Sequence, residues 1–188
     1  MTALRVLDIW VLFLWLLVDG FVVFRRRAGA ARHADRFSML GILLANWVGI
    51  GGAIAIGFAG IGALGAYTVP VQISGLALLV AGIVIRSVAI AQLGRFHAPI
   101  VAIQAGHRVV DTGLYRRVRH PSYLGACIAF LGFGLGLGSW LSALLVVVLA
   151  LVAYAYRIHV EERALLESLG DAYSAYRERT YRLIPGVY

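Results

Sequence analysis

The sequence predicts an all-α protein, a polytopic integral membrane helical bundle of about five transmembrane helices. Hydrophobic residues make up 61% of its 188 residues and charged residues only 14%, against roughly 45–50% and about 25% in soluble domains. Five mostly apolar stretches approach the roughly 20 residues that a helix needs to cross a bilayer. These observations exclude an ordinary water-soluble domain, and residues 1–188 are expected to form a single membrane domain.

The predicted spans follow one another in chain order. They cover residues 4–24, 38–59, 71–94, 121–138 and 140–158. The first span runs directly into Arg25, Arg26 and Arg27, which is a stop-transfer pattern and not the end of a signal peptide. Only one residue separates the fourth span from the fifth, so these two form a helical hairpin.

Small residues recur in two of the spans. Gly49, Ala53 and Gly57 are spaced at four in the second, whereas glycines alternate from Gly132 to Gly138 in the fourth. A phosphate-binding loop would need a preceding strand and a following soluble helix, and neither is predicted here. The small residues therefore indicate close helix packing in lipid.

The distribution of charge predicts the orientation in the membrane. The chain has no lysine, and 15 of its 17 arginines fall in residues 25–36, 95–119 and 157–182. The opposite connections, near 60–70 and 138–140, carry no charge. The positive-inside rule then places the N-terminus outside and the C-terminus in the cytoplasm. We expect the membrane to be the inner (plasma) membrane of a prokaryote. The basic excess reflects topology, and no nucleic-acid partner is expected.

Asp19 and Arg86 are charged residues inside predicted spans. Asp19 lies about one turn from the cytoplasmic end of the first span, and Arg86 about two turns from that of the third. Both are near enough to the interface to snorkel or to pair, although an intramembrane charge is also a functional candidate. Their role stays open at this point.

Polar residues are concentrated first in residues 94–120, which hold His97, His107 and His120. Proline suits the first turn of a helix and disfavours a helical residue before it. The fourth span should therefore begin near Pro121. Its first amides, which lack helical partners, and the positive end of its dipole would then lie beside Arg119, and together these groups would form an anion site. His107, His120 and Asp111 lack helical spacing, so no metal is expected.

A second polar stretch continues the fifth span into the cytoplasm. Arg157 and Glu161 are four residues apart and share one helix face, with Tyr154 one turn before them. Spacing alone leaves two interpretations open, a solvated salt bridge or part of a site.

These two blocks resemble a known pattern. The residues are His107 to Tyr115, Arg119-His120-Pro121-Ser122-Tyr123-Leu124-Gly125, Glu161-Glu162, Gly170, Tyr173, Tyr176 and Pro185. Together they are similar to the isoprenylcysteine carboxyl methyltransferase family and its phospholipid-methyltransferase-like relatives. The resemblance covers roughly residues 94–188. It divides the chain into three N-terminal spans, 1–94, and a methyltransferase core with the hairpin and tail, 95–188.

The resemblance implies S-adenosyl-L-methionine as cofactor, S-adenosyl-L-homocysteine as product, and no Rossmann fold. A cytoplasmic C-terminal cofactor-binding region would be formed by the loop before the fourth span and the tail. The cofactor-binding residues carried over are His107, Val109, Val110, Gly113, Tyr115, Arg119, His120, Pro121, Tyr123, Glu161 and Glu162. The catalytic residues implied are Arg157, which would orient the substrate, and Glu161. Residues 96–101 depart from the pattern, because Ala98 to Val101 offer no polar side chain.

The chemistry favours a carboxylate acceptor. A carboxylate is already ionised at neutral pH and needs only alignment, which a bidentate arginine such as Arg157 supplies. An amine would need a base such as Glu162 or His120. We expect carboxyl O-methylation of an isoprenylcysteine-like or other lipid carboxylate, with a lipophilic small molecule or prenylated substrate and membrane lipids as partners. The alternatives are phospholipid or amine N-methylation, thiol S-methylation, and a scaffold or transport protein. The sequence leaves the acceptor and the oligomeric state open.

Overall fold

The structure, a computed structural model, describes residues 3–26, 36–96 and 109–186. Its helices are α1 (Ala3–Arg26), α2 (Arg36–Phe58), α3 (Thr68–Leu93), α4 (Pro121–Gly136), α5 (Trp140–Leu169) and α6 (Asp171–Glu178). Short 3₁₀ turns occupy Gly65–Tyr67, Gly94–Phe96 and Gly113–Arg116. The predicted all-α class is confirmed over the described residues.

Three of the described helical segments are long and apolar enough to cross a membrane. They are Met39–Phe58, Gly65–Leu93 and Trp140–Leu169. Helix α4 is apolar but has only 16 residues, and α1 carries Arg5, Asp8 and Asp19. The chain is an integral membrane protein, whereas the count of five spans and the orientation stay predictions.

Helices α3 and α4 approach each other along a seam of glycines. A Cβ added to Gly75 or Gly82 of α3 would overlap the backbone of α4, and one on Gly125 or Gly132 of α4 would overlap the backbone of α3. In lipid, where apolar side chains gain little by leaving their surroundings, such backbone approach supplies much of the attraction between helices. The close helix packing that the glycines of the fourth span predict is thus present, and glycines of α3 contribute to it as well.

Helix α5 packs against α2 and α4 and carries the polar stretch away from the apolar core. The turn before it contains Gly138, whose φ of +76° suits glycine, and Ser139, which caps α5 by accepting from the amide of Ser142. The helix then runs for 30 residues and ends at Gly170. Because α5 is continuous, its last three turns lie beside the start of α4.

The glycine seam generates a test of the fold. The change Gly82→Ala places a methyl group against the backbone of Ala129 and Gly125, and such overpacking costs about 1–3 kcal/mol. We expect a lower midpoint of thermal unfolding in detergent. The matched control is Gly51→Ala in α2, where nothing lies within 4 Å of the added Cβ and the helix gains propensity. Equal midpoints for the two variants would show that α3 and α4 are not in close contact.

Candidate active site

The candidate site is built first on the start of α4. The helix begins at Pro121, and His120 has φ −124° and ψ 57°, outside the helical region, so the predicted start is confirmed. The carbonyl of His120 accepts the first helical bonds, from the amides of Tyr123 and Leu124 at 3.1 Å each. The positive end of the α4 dipole therefore lies beside His120.

The C-terminal tail runs alongside this start. The amide of Arg119 donates to the carbonyl of Tyr181 at 2.9 Å, and the amide of His120 donates to the carbonyl of Arg182 at 3.2 Å. Tyr181 in turn donates its amide to the carbonyl of Arg117 at 2.9 Å. A short parallel bridge pairs Val118 with Tyr181. These bonds fix the residues before α4 to the tail, two segments about 60 positions apart in the chain.

Glu162 of α5 joins the same segments through its side chain. Its Oε1 accepts from Arg119 Nε at 2.8 Å and lies 3.3 Å from His120 Nε2, while its Oε2 accepts from Arg182 Nε at 3.1 Å. The side chains of Arg119 and Glu162 are only 8% and 5% exposed. A buried carboxylate is tolerated when its charge is paired and its lone pairs are used. Arg119, His120, Glu162 and Arg182 form what is called below the Glu162 cluster.

Tyr123, in the first turn of α4, connects the two residues predicted to be catalytic. Its hydroxyl donates to Glu161 Oε2 at 2.9 Å and accepts from Arg157 Nε at 3.4 Å. Its ring stacks on His120, with centroids 5.7 Å apart, and on Tyr154, at 4.9 Å. Arg157 is only 3% exposed. The shared helix face of Arg157 and Glu161 is therefore turned toward α4 rather than toward solvent.

A cavity of about 300 Å³ reaches these residues from the apolar side. It is lined by Trp15, Leu16, Asp19 and Gly20 of α1, Met39, Ile42, Leu43, Asn46, Trp47 and Ile50 of α2, and Arg86, Tyr123, Phe130, Tyr154 and Arg157. Leu43 and Trp47 are also exposed on the outer surface of the bundle. The cavity thus extends from the lipid-facing side, between α1 and α2, to a polar end at Tyr123 and Arg157.

Helix α6 places two tyrosines beside the site. Tyr176 donates its hydroxyl to the carbonyl of Tyr115 at 2.7 Å. Tyr173 is buried, and its hydroxyl has no hydrogen-bond partner within the part of the chain that the structure describes. Burial, together with the charges of Glu162 and Glu161, raises the pKa of Tyr173. Its hydroxyl therefore stays protonated at neutral pH.

The other sequence-predicted residues are placed as follows. Val109 and Val110 are half-buried in the segment before the 3₁₀ turn at Gly113. Gly113 has φ +58° and lies against the side chain of Gln92, which accepts from the amide of Leu114 at 2.9 Å, so a tight turn already accounts for this glycine. Burial raises the pKa of Tyr115, as does the charge of Glu161. His107, like residues 97–101, lies outside the described residues.

Sequence reasoning missed part of the site. Two residues are absent from the predicted set: Arg182, which belongs to the Glu162 cluster, and Thr180, whose hydroxyl accepts from Arg119 Nη1. No local sequence pattern marks either of them. Asp19 and Arg86 form an ion pair, with Nε to Oδ1 at 2.9 Å and Nη2 to Oδ2 at 2.8 Å. The sequence analysis had named these two charges and left pairing open, and the structure shows them paired.

Part of the chain is similar to known proteins. Residues 75–167 match the model of the isoprenylcysteine carboxyl methyltransferase family. The chain is 38% identical over 116 residues to protein-S-isoprenylcysteine O-methyltransferase of Schizosaccharomyces pombe, covering 61% of this chain and 49% of that protein. It is 32% identical over 115 residues to protein-S-isoprenylcysteine O-methyltransferase B of Arabidopsis thaliana, covering 60% and 58%. It is also 37% identical over 73 residues to methanethiol S-methyltransferase of a Pseudomonas strain, covering 38% and 26%.

The chain spans about half the length of the first two relatives. The matched residues 75–167 contain the start of α4, Tyr123, Arg157, Glu161 and Glu162. The matched range includes Tyr123 and Arg157, which line the cavity. Over this range, about half of its length, the chain is similar to the isoprenylcysteine carboxyl methyltransferase family.

Proposed function

We propose that the chain is an S-adenosyl-L-methionine-dependent membrane methyltransferase whose acceptor is the carboxylate of a lipophilic molecule, most specifically an isoprenylcysteine-like one. The observation that carries this proposal is the cavity, which is lined mostly by apolar side chains of α1 and α2 and reaches Arg157 and Tyr123. The relatives named as isoprenylcysteine O-methyltransferases support the same acceptor chemistry.

The residues beside the cavity fit the cofactor. S-adenosyl-L-methionine carries a carboxylate, an ammonium, a sulfonium and an aromatic base, so its site needs groups of both signs. The amides at the start of α4 suit the carboxylate of the cofactor, and the carboxylate of Glu161 suits one of its positive groups. The buried hydroxyl of Tyr173 can donate a hydrogen bond. We propose that these residues hold the cofactor, together with Tyr115 and His120. When bound, the cofactor supplies a methyl group on a positively charged sulfur.

The protein's own residues then align the acceptor and exclude water. Arg157 would hold the acceptor carboxylate with two parallel N–H donors, which fixes the attacking oxygen. The aromatic rings of Tyr123 and Tyr154 close the site around it. Attack by a carboxylate on a sulfonium neutralises charge on the way to the transition state, so a site poor in water favours the step. No proton has to be removed.

An amine acceptor fits the geometry less well. It would need a base, and the candidates were Glu162 and His120. Both oxygens of Glu162 already accept from arginines, and His120 Nε2 faces Glu162. An anion bonded to two guanidinium groups is a weak base. This arrangement favours an acceptor that needs no deprotonation.

A thiol acceptor is the second candidate function, because one relative is named as a methanethiol S-methyltransferase. A cavity of about 300 Å³ lies at the lower end of the roughly 300–1,000 Å³ of ligand pockets. It is nevertheless far larger than a one-carbon thiol requires. A hydrocarbon chain would fill the apolar part of the cavity. We therefore favour a lipid carboxylate over a small thiol as the acceptor.

One prediction from the proposed function concerns the acceptor. Arg157→Gln removes the bidentate donor but keeps a side chain of similar length. Loss of a charged hydrogen bond of up to about 3 kcal/mol lowers kcat/KM for N-acetyl-S-farnesylcysteine roughly 100-fold, while the affinity for S-adenosyl-L-homocysteine, measured by calorimetry in detergent, stays within about twofold.

The control for this prediction is Arg163→Gln on the exposed side of the same helix, which should leave both quantities unchanged. If Arg157→Gln methylates a thiol normally but not the carboxylate, the enzyme class stands and the acceptor assignment holds. If the wild-type chain does not bind S-adenosyl-L-homocysteine at high micromolar concentration, the proposed function is wrong.

The second prediction separates two adjacent glutamates. Glu161→Gln removes the charge that faces the proposed cofactor site and should weaken S-adenosyl-L-homocysteine binding about tenfold, with a small change in the thermal midpoint. Glu162→Gln removes the charge that holds Arg119 and Arg182 and should lower that midpoint, because a buried ion pair that loses one partner leaves a charge uncompensated.

The matched control is Glu167→Gln, an exposed glutamate later in α5, with no expected effect on either measurement. Equal loss of ligand affinity and of stability in Glu161→Gln and Glu162→Gln would contradict the separate roles.

A further inference from the structure

Three buried side chains close the apolar end of the cavity. Trp15 of α1, Ile50 of α2 and Phe130 of α4 all line it, and they are only 7%, 6% and 1% exposed. The rings of Trp15 and Phe130 are neighbours, with centroids 5.7 Å apart and planes tilted by 57°. Each of the three is the lining residue of its helix that lies farthest from the polar end. These three side chains are called below the cavity floor.

The next helical turn beyond the cavity floor is packed core. Leu12, Ala53 and Phe133 each lie three positions further along the same helix faces. All three are buried, and none of these three lines the cavity. They belong to the same buried apolar cluster as the cavity floor. The cavity therefore ends at the floor and does not continue along the interior of the bundle.

Helix geometry gives the distance from the polar end of the cavity to its floor. Helices α2 and α5 run antiparallel, with Gly49 against Val146, so Met39, which lines the cavity, is level with Arg157. Met39 and Ile50 are 11 residues apart, and over that interval an α-helix rises about 16 Å. An extended chain advances about 1.2 Å per bond, because a polypeptide covers roughly 3.3–3.6 Å in three bonds. The depth thus corresponds to about 13 bonds, which is close to a farnesyl chain and shorter than a geranylgeranyl chain.

We infer that the cavity floor limits the length of the hydrocarbon chain on the acceptor, with Phe130 as the specificity-determining residue. The inference rests on the proposed function, since it concerns the lipid chain of the same acceptor. A chain gains little by moving from the bilayer into the cavity, because lipid tails are as apolar as the side chains that line it. Selection therefore comes from steric exclusion. A chain that is one isoprene unit too long has to displace packed rings, and such overpacking lowers kcat/KM about tenfold.

The opening between α1 and α2 offers the chain a competing path. Leu43 and Trp47 line the cavity and are also exposed on the outer surface. A chain that leaves between the two helices ends in the bilayer, and its length then has no effect on the reaction. The two paths therefore differ in one measurable property, the dependence of kcat/KM on chain length.

The experiment measures kcat/KM of the full chain in nanodiscs for three acceptors, the N-acetylcysteine thioethers of geranyl, farnesyl and geranylgeranyl chains. In the wild-type chain, the geranylgeranyl acceptor should be about tenfold poorer than the farnesyl acceptor. Phe130→Ala removes a ring close in size to one isoprene unit and should bring these two acceptors to within about twofold of each other. Ile50→Phe fills the floor and should make the farnesyl acceptor about tenfold poorer than the geranyl acceptor.

The matched control is Phe133→Ala, one turn further along α4. Phe133 is as deeply buried as Phe130 but does not line the cavity, so the two changes should cost similar stability. The control should keep the wild-type ratio of the geranylgeranyl to the farnesyl acceptor. That ratio is measured within one variant, so it does not depend on how much of the variant is folded. If Phe130→Ala does not fold at all, Trp15→Leu removes the facing ring of the floor and replaces it in the comparison.

Equal kcat/KM for the farnesyl and geranylgeranyl acceptors in the wild-type chain overturns the inference, because the chain then leaves through the opening. The same ratio in Phe130→Ala and Phe133→Ala also overturns it, because Phe130 then acts only as a core residue. Both outcomes leave the proposed function intact. A wild-type chain that methylates none of the three acceptors instead contradicts the proposed function, and the inference with it.

Discussion

The candidate site depends on one buried carboxylate, that of Glu162. It projects from α5 beyond the apolar part of the helix and meets Arg119 from the segment before α4 and Arg182 from the tail. Neither segment is regular secondary structure long enough to hold itself in place. A charge-assisted contact shielded from water is stronger than the same contact on a surface. The carboxylate therefore adds a buried side-chain link to the backbone bonds that join these two segments, and so helps to position the amides at the start of α4.

Tyr123 couples this polar region to the lipid side of the molecule. Its hydroxyl contacts Glu161 and Arg157, and its ring lies between those of His120 and Tyr154. One face of the residue belongs to the proposed cofactor region and the other to the cavity. A phenol suits this position, because its ring is apolar enough to line a hydrocarbon site while its hydroxyl remains a donor. Under the proposed function, a hydrophobic substrate and a charged cofactor would lie on opposite sides of this one side chain.

What the sequence could predict was local. Proline at position 121 predicts the start of α4, and the spacing of Arg157 and Glu161 predicts their common helix face. The contacts of Glu162 with Arg119 and Arg182 join residues 43 and 20 positions apart. No helical or strand period connects such residues, so their pairing follows only from the packed structure. The cavity likewise arises from the gap between α1 and α2. In the sequence, the hydrophobic residues that line it cannot be distinguished from residues that face lipid. The motif resemblance supplied candidate residues across this distance but not the contacts between them.

The absence of lysine shapes how charge is distributed inside the bundle. A guanidinium group presents several donors in a fixed plane, so it can satisfy both oxygens of a carboxylate at once, whereas an ammonium group acts as a point charge. Arg86 uses this geometry on Asp19, and Glu162 receives a separate arginine on each oxygen. Arg157 donates Nε to the hydroxyl of Tyr123 beside the cavity. Under the proposed function, an anionic acceptor would compete with that hydroxyl, because a hydroxyl binds a guanidinium less strongly than a carboxylate does. The ion pairs of Arg86 and Arg119 would keep these neighbouring arginines in place.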